Sequence, residues 1–240
     1  EAMRYLGGHP QAMALIASFL GDKTLAEVSA LLKTKKEIAL DDPNIPKDQR
    51  DATTSMIASL DVSIAILSQQ KDGEPALRLF GVMGLLPGGA LPDVLNALWG
   101  DESWGDPMDM LVRHSLVQRQ PYGSGALHTA LPFITDYALG KLSAEGMSLF
   151  GPRAAAFYAA LGSALYQALR DNQLTFGQVG ERLRIETDNM AACLRAERRA
   201  GLTSSPKQPT PVGVIGESLC ALLLLVDRAR DGLRIGQEAL

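Results

Sequence analysis

The side chains able to do chemistry are thinly spread along this chain. Its three histidines stand at positions 9, 114 and 128. That is far from the H-E-x-x-H spacing that puts two imidazoles on one helix face around zinc. Its two cysteines, Cys193 and Cys220, can build neither a disulfide framework nor a Cys-rich zinc site. The stretch Gly84-Leu85-Leu86-Pro87-Gly88-Gly89 is glycine-rich, but no lysine and hydroxyl follow it to cradle a triphosphate. It reads as a turn between helices. Gly162-Ser163 falls inside a helical pattern and lacks the G-x-S-x-G elbow of a hydrolase. No catalytic dyad follows from spacing, so no enzyme activity is expected of this chain by itself.

The elements that would position any site are mostly helical. The chain has 240 residues, 46 % hydrophobic and 21 % charged, a composition that excludes disorder and allows one large domain or several small ones. A net charge of −4 argues against whole-chain electrostatic binding to nucleic acid or an anionic membrane. The most apolar run, Leu219 to Val226, holds eight residues, and a span needs about 20. No membrane partner is expected, and the cytoplasm is the simplest compartment. The chain opens at Glu1 without a Met, so we expect a piece of a longer protein.

Pro10 suits the first turn of a helix carrying Met13, Ile16, Ala17 and Leu20, closed by Gly21. Thr24 and Glu27 form a capping-box pattern before a helix with Leu25, Val28, Leu31 and Leu32. Asp41 to Lys47 reads as a loop, and Met56, Leu60, Ile64 and Leu67 mark a longer helix. Three short helices follow, opened near Ala76, Pro92 and Asp106. Ser115 to Gln120 reads as a strand, Pro121 to Gly125 as a turn, and Ala126 to His128 as the return strand. Thr129 is the expected cap of the next helix. This is the element order of a winged helix. From about Gly151 the pattern is again helical, with Ala154, Phe157, Tyr158, Leu161, Leu165 and Leu169 on one stripe. A second such helix is expected over about 180–200, a connector over Thr203 to Pro211 and a further helix over Glu217 to Gln237.

Several short motifs carry a resemblance. Tyr5-Leu6-Gly7-Gly8-His9-Pro10 resembles the Gly-x-Pro segment opening the helical subdomain of NB-ARC, STAND-class signalling ATPases. Leu60-Asp61-Val62-Ser63 with Leu67, then Leu85-Leu86-Pro87, resemble the end of that subdomain and the start of its winged helix. Leu111-Val112, Ser115-Leu116-Val117 and Leu127-His128-Thr129 are similar to the passage ending in Met-His-Asp. Glu186-Thr187-Asp188-Asn189-Met190 resembles the E-x-x-N segment often found where helical repeats follow. The resemblance covers about residues 1–200.

It implies a nucleotide role. Pro10, with Gly8 in its motif, would pack on adenine, a rigid apolar face without a competing donor. His128 would donate to the β-phosphate of ADP. ADP or ATP is thus the implied cofactor, in the setting of a longer protein with an upstream nucleotide-binding domain. Implied partners are that domain, a protein or small ligand sensed by the repeats, and further copies of the chain on activation. Thr129 stands where the family has Asp, so the carboxylate that would brace the histidine is missing.

The expectation is therefore a mainly α chain in three parts: a helical bundle (1–71), a winged helix with a small β-hairpin (74–142) and the start of TPR-like helical hairpins (148–240). Its expected function is regulatory, closing over ADP and relaying what the repeats sense. One alternative is a transcription regulator whose winged helix touches DNA. From Glu74 to Gly140, however, there are three basic and seven acidic residues, and a groove-binding helix needs Lys or Arg. The other alternative is a helical scaffold without a nucleotide role.

Overall fold

The computed structural model describes residues 10–20, 23–40, 50–101 and 103–199. Gly8, the loop expected over Asp41 to Lys47, the connector expected over Thr203 to Pro211 and the helix expected over Glu217 to Gln237 lie outside them. Among the described residues the fold is mainly α, with one small antiparallel hairpin. In chain order the helices are α1 (Pro10–Ala17), α2 (Leu25–Leu40), α3 (Arg50–Leu67), α4 (Gly73–Met83), α5 (Pro92–Trp99) and α6 (Gly105–Arg113). Strands β1 (Gln118–Tyr122) and β2 (Gly125–Thr129) follow, then α7 (Pro132–Lys141), α8 (Ala144–Arg170) and α9 (Phe176–Arg199).

The chain forms two compact units. The first takes residues 1–80 and 105–118, and the second takes 81–104 and 119–240.

In the first unit α3 packs against both α1 and α2. Its buried face is extensive and partly polar. Ser59 and Ser63 are buried and return their hydroxyls to the carbonyls one turn back, Ser55 at 2.7 Å and Ser59 at 2.8 Å. Such back-bonding satisfies the hydroxyl inside the helix, so neighbours can approach a serine as closely as an alanine. The expected capping box forms: the Thr24 N–H and hydroxyl both donate to Glu27 Oε2, and Glu27 N–H donates back to Thr24 Oγ1. His114 is buried and stacks on Phe19 at 4.2 Å, with its Nε2 3.1 Å from Gln70 Oε1.

In the second unit α8 packs on both α5 and α9. Trp99 of α5 stacks on Phe150 of α8, and the Arg153 guanidinium donates to the carbonyls of Leu98 and Trp99. Those carbonyls lie at the α5 C-terminus, where no intrahelical partner exists and a cation is favoured.

Several boundaries move from their expected places, beginning with α1, which ends at Ala17 and leaves the exposed Leu20 beyond it. Strand β1 starts at Gln118, not Ser115, because the N–H groups of Leu116 and Val117 close the end of α6 on the Leu111 carbonyl. Helix α7 starts at Pro132 after Leu131, so Thr129 ends a strand and caps nothing. Helix α8 starts at Ala144, because the Ser143 hydroxyl accepts from the Gly146 N–H and Pro152 is carried inside the helix. The buried stripe of α8 is also rotated. Ala154, Ala155, Tyr158, Gly162 and Leu165 are buried, whereas Phe157, Leu161 and Leu169 are only half-buried.

Candidate functional site

His128 is the expected site residue around which the structure builds most. It lies on β2 and is 2 % exposed. Its main chain pairs with Ala90 in an antiparallel bridge, with Ala90 N–H to His128 O at 2.7 Å and His128 N–H to Ala90 O at 2.9 Å. Arg119 on β1 donates its Nε–H to His128 Nε2 at 3.1 Å. A ring nitrogen that accepts holds a lone pair, so the neutral imidazole carries its proton on Nδ1. Trp104 presents an edge to the ring at a centroid distance of 5.7 Å, and its indole N–H donates to Asn96 Oδ1.

The sequence motifs do not single out Arg119 or Trp104 as neighbours of this histidine. A signal existed for Arg119: with Gly123-Ser124 as a two-residue turn, counting outward puts residue 119 opposite 128. Trp104 had none, because a tertiary approach brings it there. Thr129 is half-buried, and its methyl group lies under Gly89.

Gly89 adopts φ +98°, and a Cβ there would stand 2.8 Å from Thr129 Cγ2 and 3.0 Å from His128 O. Both the backbone angle and the close approach require glycine. The Gly84–Gly89 stretch is thus the turn expected of it, and its far end touches the histidine strand.

Pro10 opens α1 and is exposed. It belongs to the first unit and His128 to the second, and Gly8 lies outside the described residues. The first unit also holds an open cleft of about 490 Å³, with Lys23, Lys71 and Arg113 among its walls beside Gln69 and Gln70.

The E-x-x-N segment lies in the interior of the second unit. Glu186 and Asn189 are fully buried. Asn189 Oδ1 accepts the Gly88 N–H at 2.7 Å, and its Nδ2 donates to the Gly89 carbonyl at 2.8 Å and to Glu186 Oε2 at 2.9 Å. The Tyr158 hydroxyl donates to the same Oε2 at 3.0 Å, and Arg182 Nε pairs with Glu186 Oε1 at 2.9 Å. Arg182 also reaches Asp93 in the first turn of α5 at 2.8 Å. Burial pushes the Glu186 carboxyl above the ordinary glutamate value, against the pull of Arg182, Asn189 and Tyr158. Burial likewise pushes the Tyr158 phenol up, with the Glu186 charge adding to it.

Among the described residues no group of His, Cys, Asp and Glu is placed to hold a metal ion, and no helix is long and apolar enough to cross a membrane. No protein-family model, curated protein or solved structure matches the chain.

Proposed function

We propose that this chain is the nucleotide-sensing, repeat-proximal part of a STAND-type signalling switch of the NB-ARC kind. The observation that carries the reading is the setting of His128. At the position of the motif histidine stands a buried ring, held by an arginine on the facing strand and bridged through its backbone to the loop after α4. Burial alone does not mark it, since His114 is as buried; the motif position and the arginine on the facing strand set His128 apart.

In this reading an upstream domain supplies the phosphate-binding loop, and His128 senses the diphosphate. The ring is shielded, so a phosphate reaches it only when Arg119 or Trp104 gives way. Arg119 is exposed and cationic, and its guanidinium suits the same phosphate. Pro10, exposed at the start of α1, offers its ring to adenine. Helices α8 and α9 begin the region that senses a protein or small ligand. The winged helix then acts as a two-state element biased by ADP or ATP.

DNA binding is disfavoured because α6, in the recognition-helix position, exposes Asp106 and Asp109.

The test is ADP retention by the protein extended upstream through its nucleotide domain. His128→Ala should release ADP faster than wild type, and Arg119→Ala should do so more mildly. Unchanged retention in His128→Ala, with the fold intact by circular dichroism, would sink the reading and leave a helical scaffold.

A further inference from the structure

Asn189 lies on α9 and is not among the residues assigned a nucleotide role, yet its amide is fully used. Its one carbonyl and both N–H bonds meet Gly88, Gly89 and Glu186. The partners fix its orientation, since a flipped amide would set two donors against each other at Gly88. Glu186 is held in turn by Tyr158 and Arg182. The backbone of α9 lies directly against the same turn, because a Cβ on Gly88 would fall on the Ile185 carbonyl oxygen. The peptide gripped by Asn189 is the one immediately before Ala90, and Ala90 is bridged to His128. An unbroken chain of short hydrogen bonds thus runs from α9 to the strand of the candidate sensor.

We propose that Glu186 and Asn189 are positioning residues through which α9 sets the strand carrying His128, so that a displaced α9 loosens that strand. The bearing of this coupling on nucleotide rests on the switch reading above, but the coupling itself does not. Buried, mutually satisfied polar networks hold one geometry and lose it together when a member leaves. Signals from the helical region would then travel through the E-x-x-N segment, not through the surface of the winged helix.

Amide hydrogen exchange on the 240-residue chain reads this directly. Asn189→Ala should speed exchange at Ala90 and His128 by about tenfold, the size of one lost buried hydrogen bond. The amides of α1 and α3 should keep wild-type rates. Gly88→Ala breaks the same contact from the other side and should give the same pattern. If exchange rises at Gly88 alone, with Ala90 and His128 unchanged, α9 only caps a turn and the proposal is overturned.

Should Asn189→Ala unfold the second unit, Asn189→Asp decides, since it keeps the Gly88 acceptor but loses the donors to Gly89 and Glu186. Faster exchange at His128 with α8 still protected supports the coupling, and unchanged exchange overturns it. In the extended protein, coupled exchange with unaltered ADP retention would remove the nucleotide reading and leave the coupling standing. Faster ADP release in His128→Ala, with no exchange response to either Asn189 variant, would do the reverse.

Discussion

At the scale of single residues, the charge on Glu186 governs a pH response. Its folded carboxyl titrates above the ordinary glutamate value of 4.5, chiefly through burial. Between the two values the folded state keeps a proton that the unfolded state has lost. This contribution to stability is therefore complete below the ordinary value and is lost as pH rises through the folded one. Urea midpoints taken across that window should fall with rising pH in wild type, and Glu186→Gln should flatten that part of the profile. A second change acts on the same group. Tyr158→Phe leaves the buried Glu186 Oε2 without its phenolic donor. It should cost about 2 kcal/mol in denaturant unfolding, as expected for a buried acceptor that loses a partner. A cost under a few tenths would mean that Asn189 and Arg182 satisfy the carboxylate unaided.

At the scale of elements, helix starts and close approaches are the weak points. Helix α9 begins with a second capping box, in which the Thr175 N–H and hydroxyl donate to Gln178 Oε1 and Gln178 N–H donates to Thr175 Oγ1. The helix starts at Phe176, ahead of the expected Gly180, because this Thr-x-x-Gln pair closes its first turn. Thr175→Ala should cost about 1 kcal/mol and fray the first turn, which exchange at Val179 would report. The Thr24–Glu27 box behaves differently with pH. The Thr24 hydroxyl, then its N–H, hold the exposed Glu27 carboxyl below its ordinary value. Its contribution is present above that value and is lost as pH falls through the folded one, opposite in sign to Glu186. Gly84 marks a different constraint, where a Cβ would overlap the backbone of Leu139 in α7. Because the clash is with main chain, Gly84→Ala should cost about 3 kcal/mol, the upper range for overpacking. Thermal unfolding within 1 °C of wild type, roughly a tenth of that effect for a domain of this size, would show that α7 can retreat freely.

For the molecule as a whole, charge decides which macromolecules it meets. The net charge is −4, and the three basic residues between Glu74 and Gly140 are Arg78, Arg113 and Arg119. Arg78 lies within reach of Glu74 at 3.9 Å, and Arg119 is engaged with His128. Titration with duplex DNA at low salt should therefore give no binding, where a groove-binding winged helix gives a steep salt dependence. A salt-sensitive shift would restore the transcription-regulator reading.

Much of the local structure was legible in the chain itself. Helical spacing, the Thr24–Glu27 box, Pro10 at a helix start and the turn at Gly84–Gly89 are all decided within a few residues of sequence, where backbone angles and capping chemistry act. The same holds for the mainly α class and the hairpin at Gln118–Thr129. Tertiary structure alone decided the rest. Asn189 and Gly88 are 101 residues apart, Arg153 and Leu98 are 55 apart, and Tyr158 and Glu186 are 28 apart. Periodicity marks a face of a helix, but not which buried polar atom on that face finds a partner. Tyr158 therefore reads as one member of a helical stripe and Glu186 as part of a motif. Burying a carboxylate is costly unless donors converge on it, and only packed helices bring donors from so far along the chain to one oxygen.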